Sequence, residues 1–227
     1  LGFLRDSSSA GRRLCHVLSN SRYLGEAMNK SMESVTWLGH DEDMRPRSLE
    51  SLRIQCHAAK TRYSDRLNDF ATLVRALRRH EIERIGLGWM SSVIEDGECL
   101  EAMTQVYDAI INASLEWSVE HQCRKHDLEQ PQARIAIIGM GRYGGKEVNF
   151  SSDADAIIIY CPNAGASDQE ANRFAKDAVN DLRQILMGSV STEHKIDLDL
   201  DLRPEGKNGP LIRSYESCRE YYASWAS

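Results

Sequence analysis

A chain of 227 residues can form one large domain or two modest ones, and 41% hydrophobic with 27% charged residues is an ordinary globular balance. A formal net charge of -6 lacks the cationic footprint of a general nucleic-acid binder, and no apolar run approaches the ~20 residues that span a bilayer. Neither nucleic acid nor membrane is therefore an expected partner. The cysteines at 15, 56, 99, 123, 161 and 218 contain no CxxC pair and read as reduced thiols of a cytoplasmic protein.

The opening Leu1-Gly-Phe-Leu-Arg5 is too short for a signal peptide. With no initiating methionine, and with Tyr221 to Ser227 still reading as helix where the sequence stops, we expect a segment of a longer polypeptide. Asp41 to Pro46 reads as a loop leading into a helix after Arg47. Ser48 is its ordinary N-cap, because Ser51 stands where a capping box needs Glu or Gln. Tyr63, Leu67, Phe70, Val74 and Leu77 recur at helical spacing as one stripe, and Met103, Val106, Tyr107, Ile110, Ala113 and Trp117 make a second. Between them Gly86, Gly88 and Gly97 suggest weak helix or turns. The charge-dense segment Leu77 to Arg84 is expected to be a solvated helix face, or else to line a domain interface or contact a partner. Trp37, Trp89, Trp117 and Trp225 are read as packing residues.

The polar stretch Arg124 to Pro131 separates this helical texture from a different one, so a helical domain is expected over 1–130 and a second domain over 131–227, cut short at its C-terminus. Ala133 to Ile138 reads as a strand, Asp153 to Tyr160 as a second, Asp168 to Leu186 as a helix, and the alternating Ile196 to Leu202 as a half-buried third strand. The fold class is α+β.

On a strand, Asp153 and Asp155 project from one face, with Ala154 and Ala156 on the other. Asp197, Asp199 and Asp201 likewise share a face of the third strand, opposite Ile196, Leu198, Leu200 and Leu202. Pairing the two strands gathers like charges that repel unless a cation is held among them, and this hard oxygen set suits Mg²⁺. Asp199 is the preferred third carboxylate, with Asp197 and Asp201 as competitors. Such a centre fits a two-metal nucleotidyl transfer from a triphosphate. Gly144 and Gly145 allow close approach of backbone N–H groups to phosphate, Ser152 precedes the aspartates, and Arg142, Lys146, Arg203 and Lys207 are candidate triphosphate partners. Gly139-x-Gly141-x-x-Gly144 also matches a dinucleotide-binding fingerprint, but the chain between it and the next strand is too short for a crossover helix. His194 lies near the acidic strand and reads as a surface group.

The run Ile138-Gly-Met-Gly-Arg-Tyr-Gly-Gly-Lys-Glu-Val-Asn-Phe-Ser-Ser-Asp153-Ala-Asp155, with Asp199-Leu-Asp-Leu-Arg-Pro-Glu-Gly-Lys-Asn-Gly-Pro-Leu-Ile-Arg213 downstream, closely resembles the bacterial glutamine synthetase adenylyltransferase family. Ser21-Arg-Tyr-Leu24 and Leu77 to Ile85 extend the resemblance through the helical half. It implies a DNA-polymerase-β-like nucleotidyltransferase core with a small mixed sheet behind a helical N-terminal region. It also implies Asp153, Asp155 and Asp199 as catalytic metal ligands for Mg²⁺, ATP as substrate, and glutamine synthetase as the protein modified on a tyrosine. Gly144 and Gly145 match the nucleotide-holding turn. Family members pair a transferring half with one that removes AMP by phosphorolysis. The Gly-Met-Gly-Arg turn and the later Asp-Leu-Arg-Pro-Glu-Gly-Lys-Asn-Gly-Pro motif resemble the C-terminal, transferring half as found in actinobacteria. A nitrogen-signalling regulatory protein is an implied partner of the full-length enzyme. The removing activity, or a catalytically inactive scaffold role, are the alternatives.

Overall fold

The computed structural model describes residues 8–190 and 192–225; the Leu1–Arg5 start and the Trp225 side chain lie outside the described residues. The chain begins with short helices, α1 (Ser8–Asn20), α2 (Arg22–Lys30) and α3 (Ser34–Trp37), then a 3-10 turn at Asp41–Met44. Three longer helices follow: α4 (Leu49–Arg62), α5 (Leu67–Met90) and α6 (Asp96–Lys125). Ser48 caps α4 as its position predicts, accepting from Ser51 N.

The stripe drawn from Tyr63 to Leu77 is broken in the structure. Tyr63 closes α4, and α5 starts only at Leu67. The Tyr63 carbonyl instead accepts a 2.8 Å bond from Trp117 Nε1, while Phe70 stacks on the Trp117 ring at 5.6 Å. The second stripe lies on α6 with all six members buried. Gly86 and Gly88 do not interrupt α5, and Gly97 sits in the first turn of α6. At Gly88 the Met44 carbonyl presses on the helix where a Cβ would stand, so the missing side chain permits close packing rather than a turn.

The charged segment of α5 is not a solvated face. Glu81, Glu83 and Arg84 are buried, and Arg79 is largely so. Glu83 accepts from Ser34 Oγ; Arg84 reaches the Asp43 carbonyl and lies 4.1 Å over the Trp37 ring. Arg79 forms a two-pronged bond to Glu193 at 2.9 and 3.2 Å. These groups pair because a buried charge left alone forfeits its hydration. Trp37 and Trp117 are packed as expected; Trp89 is half-exposed, donating to Asp96 and leaning on Phe150.

The remaining elements are β1 (Ala133–Gly139), the one-turn helix α7 (Gly141–Gly144), β2 (Ala154–Pro162), α8 (Asp168–Met187), β3 (Leu198–Asp199), β4 (Arg213–Ser214) and α9 (Tyr215–Trp225). The sheet is mixed, and the fold is α+β. β1 runs antiparallel to β2, from Ala133↔Pro162 to Gly139↔Ala156, whereas β3 and β4 run parallel to β2. An antiparallel β1–β2 pair joined by one helical turn rules out the dinucleotide-binding βαβ unit.

A Ser167–Glu170 capping box starts α8, whose buried stripe Ala171, Phe174, Ala178, Leu182 and Ile185 faces the core. That core is continuous from Phe70 and Trp117 through Ala156 and Ile158 to Leu182 and Leu198. Arg75 ties α5 to the far end of α8: at 1% exposure it donates to Ile185 O at 2.8 Å, Gln184 O at 3.2 Å and Gly188 O at 2.8 Å. These carbonyls include ones that a helix end leaves without intrahelical partners. From there the chain returns to β3, and Ile196 N bonds back to Leu186 O at 2.8 Å. Among the described residues, no helix is long and apolar enough to cross a membrane.

Candidate active site

The third strand is shorter than its alternation predicts. Ile196, Leu198 and Leu200 are buried, but ladder pairing covers only Ala154↔Leu198 and Asp155↔Asp199. Beyond Leu200 the backbone turns, through Arg203 N to Leu200 O and Gly206 N to Arg203 O, leaving Leu202 50% exposed. The prolyl and glycyl residues of Arg203-Pro-Glu-Gly206 favour that turn over further ladder.

The parallel register sets Asp155 beside Asp199, and Asp153 stands just before β2. Carboxylate oxygens from all three lie within 4.8 Å of one another. The carboxyl of Asp155 is held above its ordinary range, first by burial and then by the neighbouring charges of Asp153 and Asp199, with Arg142 opposing. Three hard oxygen donors whose mutual repulsion is incompletely offset fit a divalent cation such as Mg²⁺. Asp199 Oδ1 is fixed by a 2.7 Å bond from Asp201 N.

The competing aspartates line the same cleft but stand outside the three-carboxylate group. Asp201 is bound by Arg203 and Lys207, each at 3.2 Å, and these cations depress its pKa, Lys207 most. Asp197 is exposed, and its carbonyl accepts from Ala154 N to seat the strand. Arg203 is mostly committed as well: only 11% exposed, it donates to Leu200 O at 2.7 Å and Gly209 O at 3.3 Å, bracing the loop. Lys207 projects outward at 81% exposure.

In the glycine turn the amides of Gly144 and Gly145 donate to Met140 O at 2.7 Å and Gly141 O at 3.0 Å. Gly144 is required because a Cβ there would sit 2.5 Å from Gly139 O. Gly141 comes closest to the carboxylates: φ is +50°, and a Cβ would meet Asp155 Oδ2 at 2.5 Å. Sequence reasoning passed over this residue, although its place in Gly139-x-Gly141 just ahead of Asp-x-Asp was the available signal. Arg142 and Lys146 are exposed on the same turn.

Helix α6 holds this turn from below. Tyr143 is buried and donates to Asp108 at 2.8 Å; burial first, then Asp108, pushes its phenol pKa strongly up. Tyr107 OH donates to Ser152 O at 3.2 Å, and Thr104 Oγ1 accepts from Val148 N. Ser152 Oγ accepts from Asn149 N at 3.1 Å, closing the turn that leads into Asp153.

Asp153 and Asp199 line a cleft of about 560 Å³, together with Ser152, Asp197, Asp201 and Arg203, and on its α8 wall Arg183 and Met187. Arg183 was not anticipated. It lies off the buried stripe of α8, and no motif marks it.

An α+β chain that gathers three carboxylates from adjacent parallel strands beside a glycine-built turn defines, as a class, a protein with a candidate divalent-cation centre in an open polar cleft. The family follows from comparison: the sequence model of the glutamate-ammonia ligase adenylyltransferases matches residues 11–227, and the chain belongs to that family. It is 63% identical over its whole length to the bifunctional glutamine synthetase adenylyltransferase/adenylyl-removing enzyme of Bifidobacterium longum (strain DJO10A), covering 21% of that protein. Proteins of the same description from Leifsonia xyli subsp. xyli (39% identical, 21% covered) and Mycobacterium marinum (36%, 23% covered) also match across all of it. The chain thus spans about a fifth of the length of the curated relatives it matches.

Proposed function

We propose that this chain carries the nucleotidyl-transfer centre of a glutamine synthetase adenylyltransferase, moving AMP from ATP to a tyrosine of glutamine synthetase in the cytoplasm. The observation that supports it is the convergence of Asp153, Asp155 and Asp199 within 4.8 Å in a member of this family. On this reading residues 131–227 are a DNA-polymerase-β-like core behind a helical region over 1–130, and the form of the glycine turn favours the transferring half.

Asp153, Asp155 and Asp199 would hold Mg²⁺, which when bound supplies positive charge to the triphosphate and to the attacking oxygen. The tyrosine oxygen forms a bond to the α-phosphorus as the bond from that phosphorus to pyrophosphate breaks, and the phenolic proton must leave. Asp199, with Oδ1 fixed by Asp201 N–H, keeps its other oxygen to orient that proton. Burial and then the charges of Asp153 and Asp199 raise the pKa of Asp155, and a cation bound among the three would relieve that repulsion and favour the charged carboxylate.

The test supplies glutamine synthetase, ATP labelled in the α-phosphate and Mg²⁺ to the chain, alone and within a polypeptide of the relatives' full length. Label should appear on a synthetase tyrosine, and Asp153→Asn combined with Asp155→Asn should abolish it. Undiminished labelling by the double variant sinks the assignment. Release of ADP from pre-adenylylated synthetase and phosphate, without labelling, would instead identify the removing activity.

A further inference from the structure

We propose that Arg183, on the wall of the cleft facing the carboxylates, binds the β- and γ-phosphates of the nucleotide; the inference rests on the nucleotidyl-transfer reading above. A triphosphate in this cleft needs cationic partners, since four of the lining side chains, Asp153, Asp197, Asp199 and Asp201, are acidic. Two guanidinium groups line it, those of Arg183 and Arg203. Arg203 is engaged by two backbone carbonyls and by Asp201, and Lys207 is drawn to Asp201 as well. Arg183 is exposed, and among the described residues no hydrogen bond or ion pair engages it. Its fork of donors is therefore free in the space a polyphosphate tail would fill.

The local fold gives this arginine a fixed base. It sits between Leu182 and Ile185 on α8, both fully buried, and one turn from Met187, which lines the same cleft. The α8 terminus is clamped by Arg75, and the segment leading into β3 is bonded to the same terminus through Ile196 N to Leu186 O. The base of the guanidinium and the Asp199 carboxylate are thus carried on one braced unit. Arg183 thus joins the sequence candidates Arg142, Lys146, Arg203 and Lys207 from another element.

The experiment is calorimetric titration of the chain with ATP and with AMP in Mg²⁺, comparing the parent, Arg183→Ala and Arg183→Lys. A guanidinium paired with phosphate predicts that Arg183→Ala weakens ATP by about tenfold or more while leaving AMP unchanged, with Arg183→Lys in between. Equal ATP affinity in the parent and the alanine variant overturns the inference alone, as does an equal loss for AMP and ATP. A parent that binds no ATP overturns the inference together with the reading on which it rests. Arg183→Ala changes an exposed side chain, and an unchanged thermal melt verifies that the fold is kept.

Discussion

Gly141→Ala separates two quantities that most substitutions confound. The backbone there has φ of +50°, where an alanine costs about 1 kcal/mol or somewhat more relative to glycine. The new Cβ would meet Asp155 Oδ2 at 2.5 Å, the tip of a rotatable side chain, so steric relief is inexpensive for the fold. Relief nevertheless requires the carboxylate to retreat by about 1 Å, whereas metal ligation tolerates only ~0.2 Å. The variant should lose roughly 1–2 kcal/mol in urea denaturation with chelator present, yet bind Mg²⁺ or Mn²⁺ at least tenfold more weakly in calorimetry. Gly144→Ala should show the reverse balance. Its Cβ would press at 2.5 Å on Gly139 O, which is backbone and cannot swing aside, so the cost falls on stability at about 2–3 kcal/mol. If Gly141→Ala binds metal like the parent, Asp155 does not belong to the cation site in the arrangement described.

Two further outcomes follow from the side chains of Arg75 and His80 on α5. Arg75→Ala strips the α8 terminus of three hydrogen bonds and should lower the urea unfolding free energy by about 3 kcal/mol, with Arg75→Lys recovering less than half because an ammonium cannot reproduce the fork; a loss under 1 kcal/mol would contradict the clamp. His80 has its pKa depressed by burial first and then by Arg79, Arg84 and Arg47, with Glu33 opposing, so its neutral form favours the fold. Its contribution is present above the ordinary histidine value near 6.5 and is lost as pH falls toward the lower folded value, so thermal melts should drop over that window. Melts of His80→Gln should be flatter there, and identical pH profiles for the two proteins would refute the assignment.

Much of the site was legible because its determinants are local. Period 2 around Ala154 and Leu198 identifies which side chains share a face, and the short connection from Gly144 to Asp153 excludes a crossover helix. What the pattern cannot carry is where pairing stops. Leu202 continues the alternation by composition, yet a turn closed by Arg203 takes it into solvent. The charges of α5 misled for a related reason: Glu81, Glu83 and Arg84 read as a wet face until Ser34, Arg47 and Asp43, which are remote in sequence, are seen to meet them. Arg183 lacked any signal, since an exposed arginine on an amphipathic helix is commonplace and only the tertiary cleft singles it out.

The two-pair ladder between β2 and β3 has a consequence for how charge placement is inherited. A slip of one residue would turn Asp199 inward and Leu198 out to the cleft, dispersing the carboxylate cluster and stranding a carboxylate in oil at once. With so few backbone bonds, the lock on that register is the hydrocarbon of Ile196, Leu198 and Leu200 beneath it. Conservative aliphatic changes on the hidden side are thus as able to disperse the three carboxylates as changes to the acids themselves.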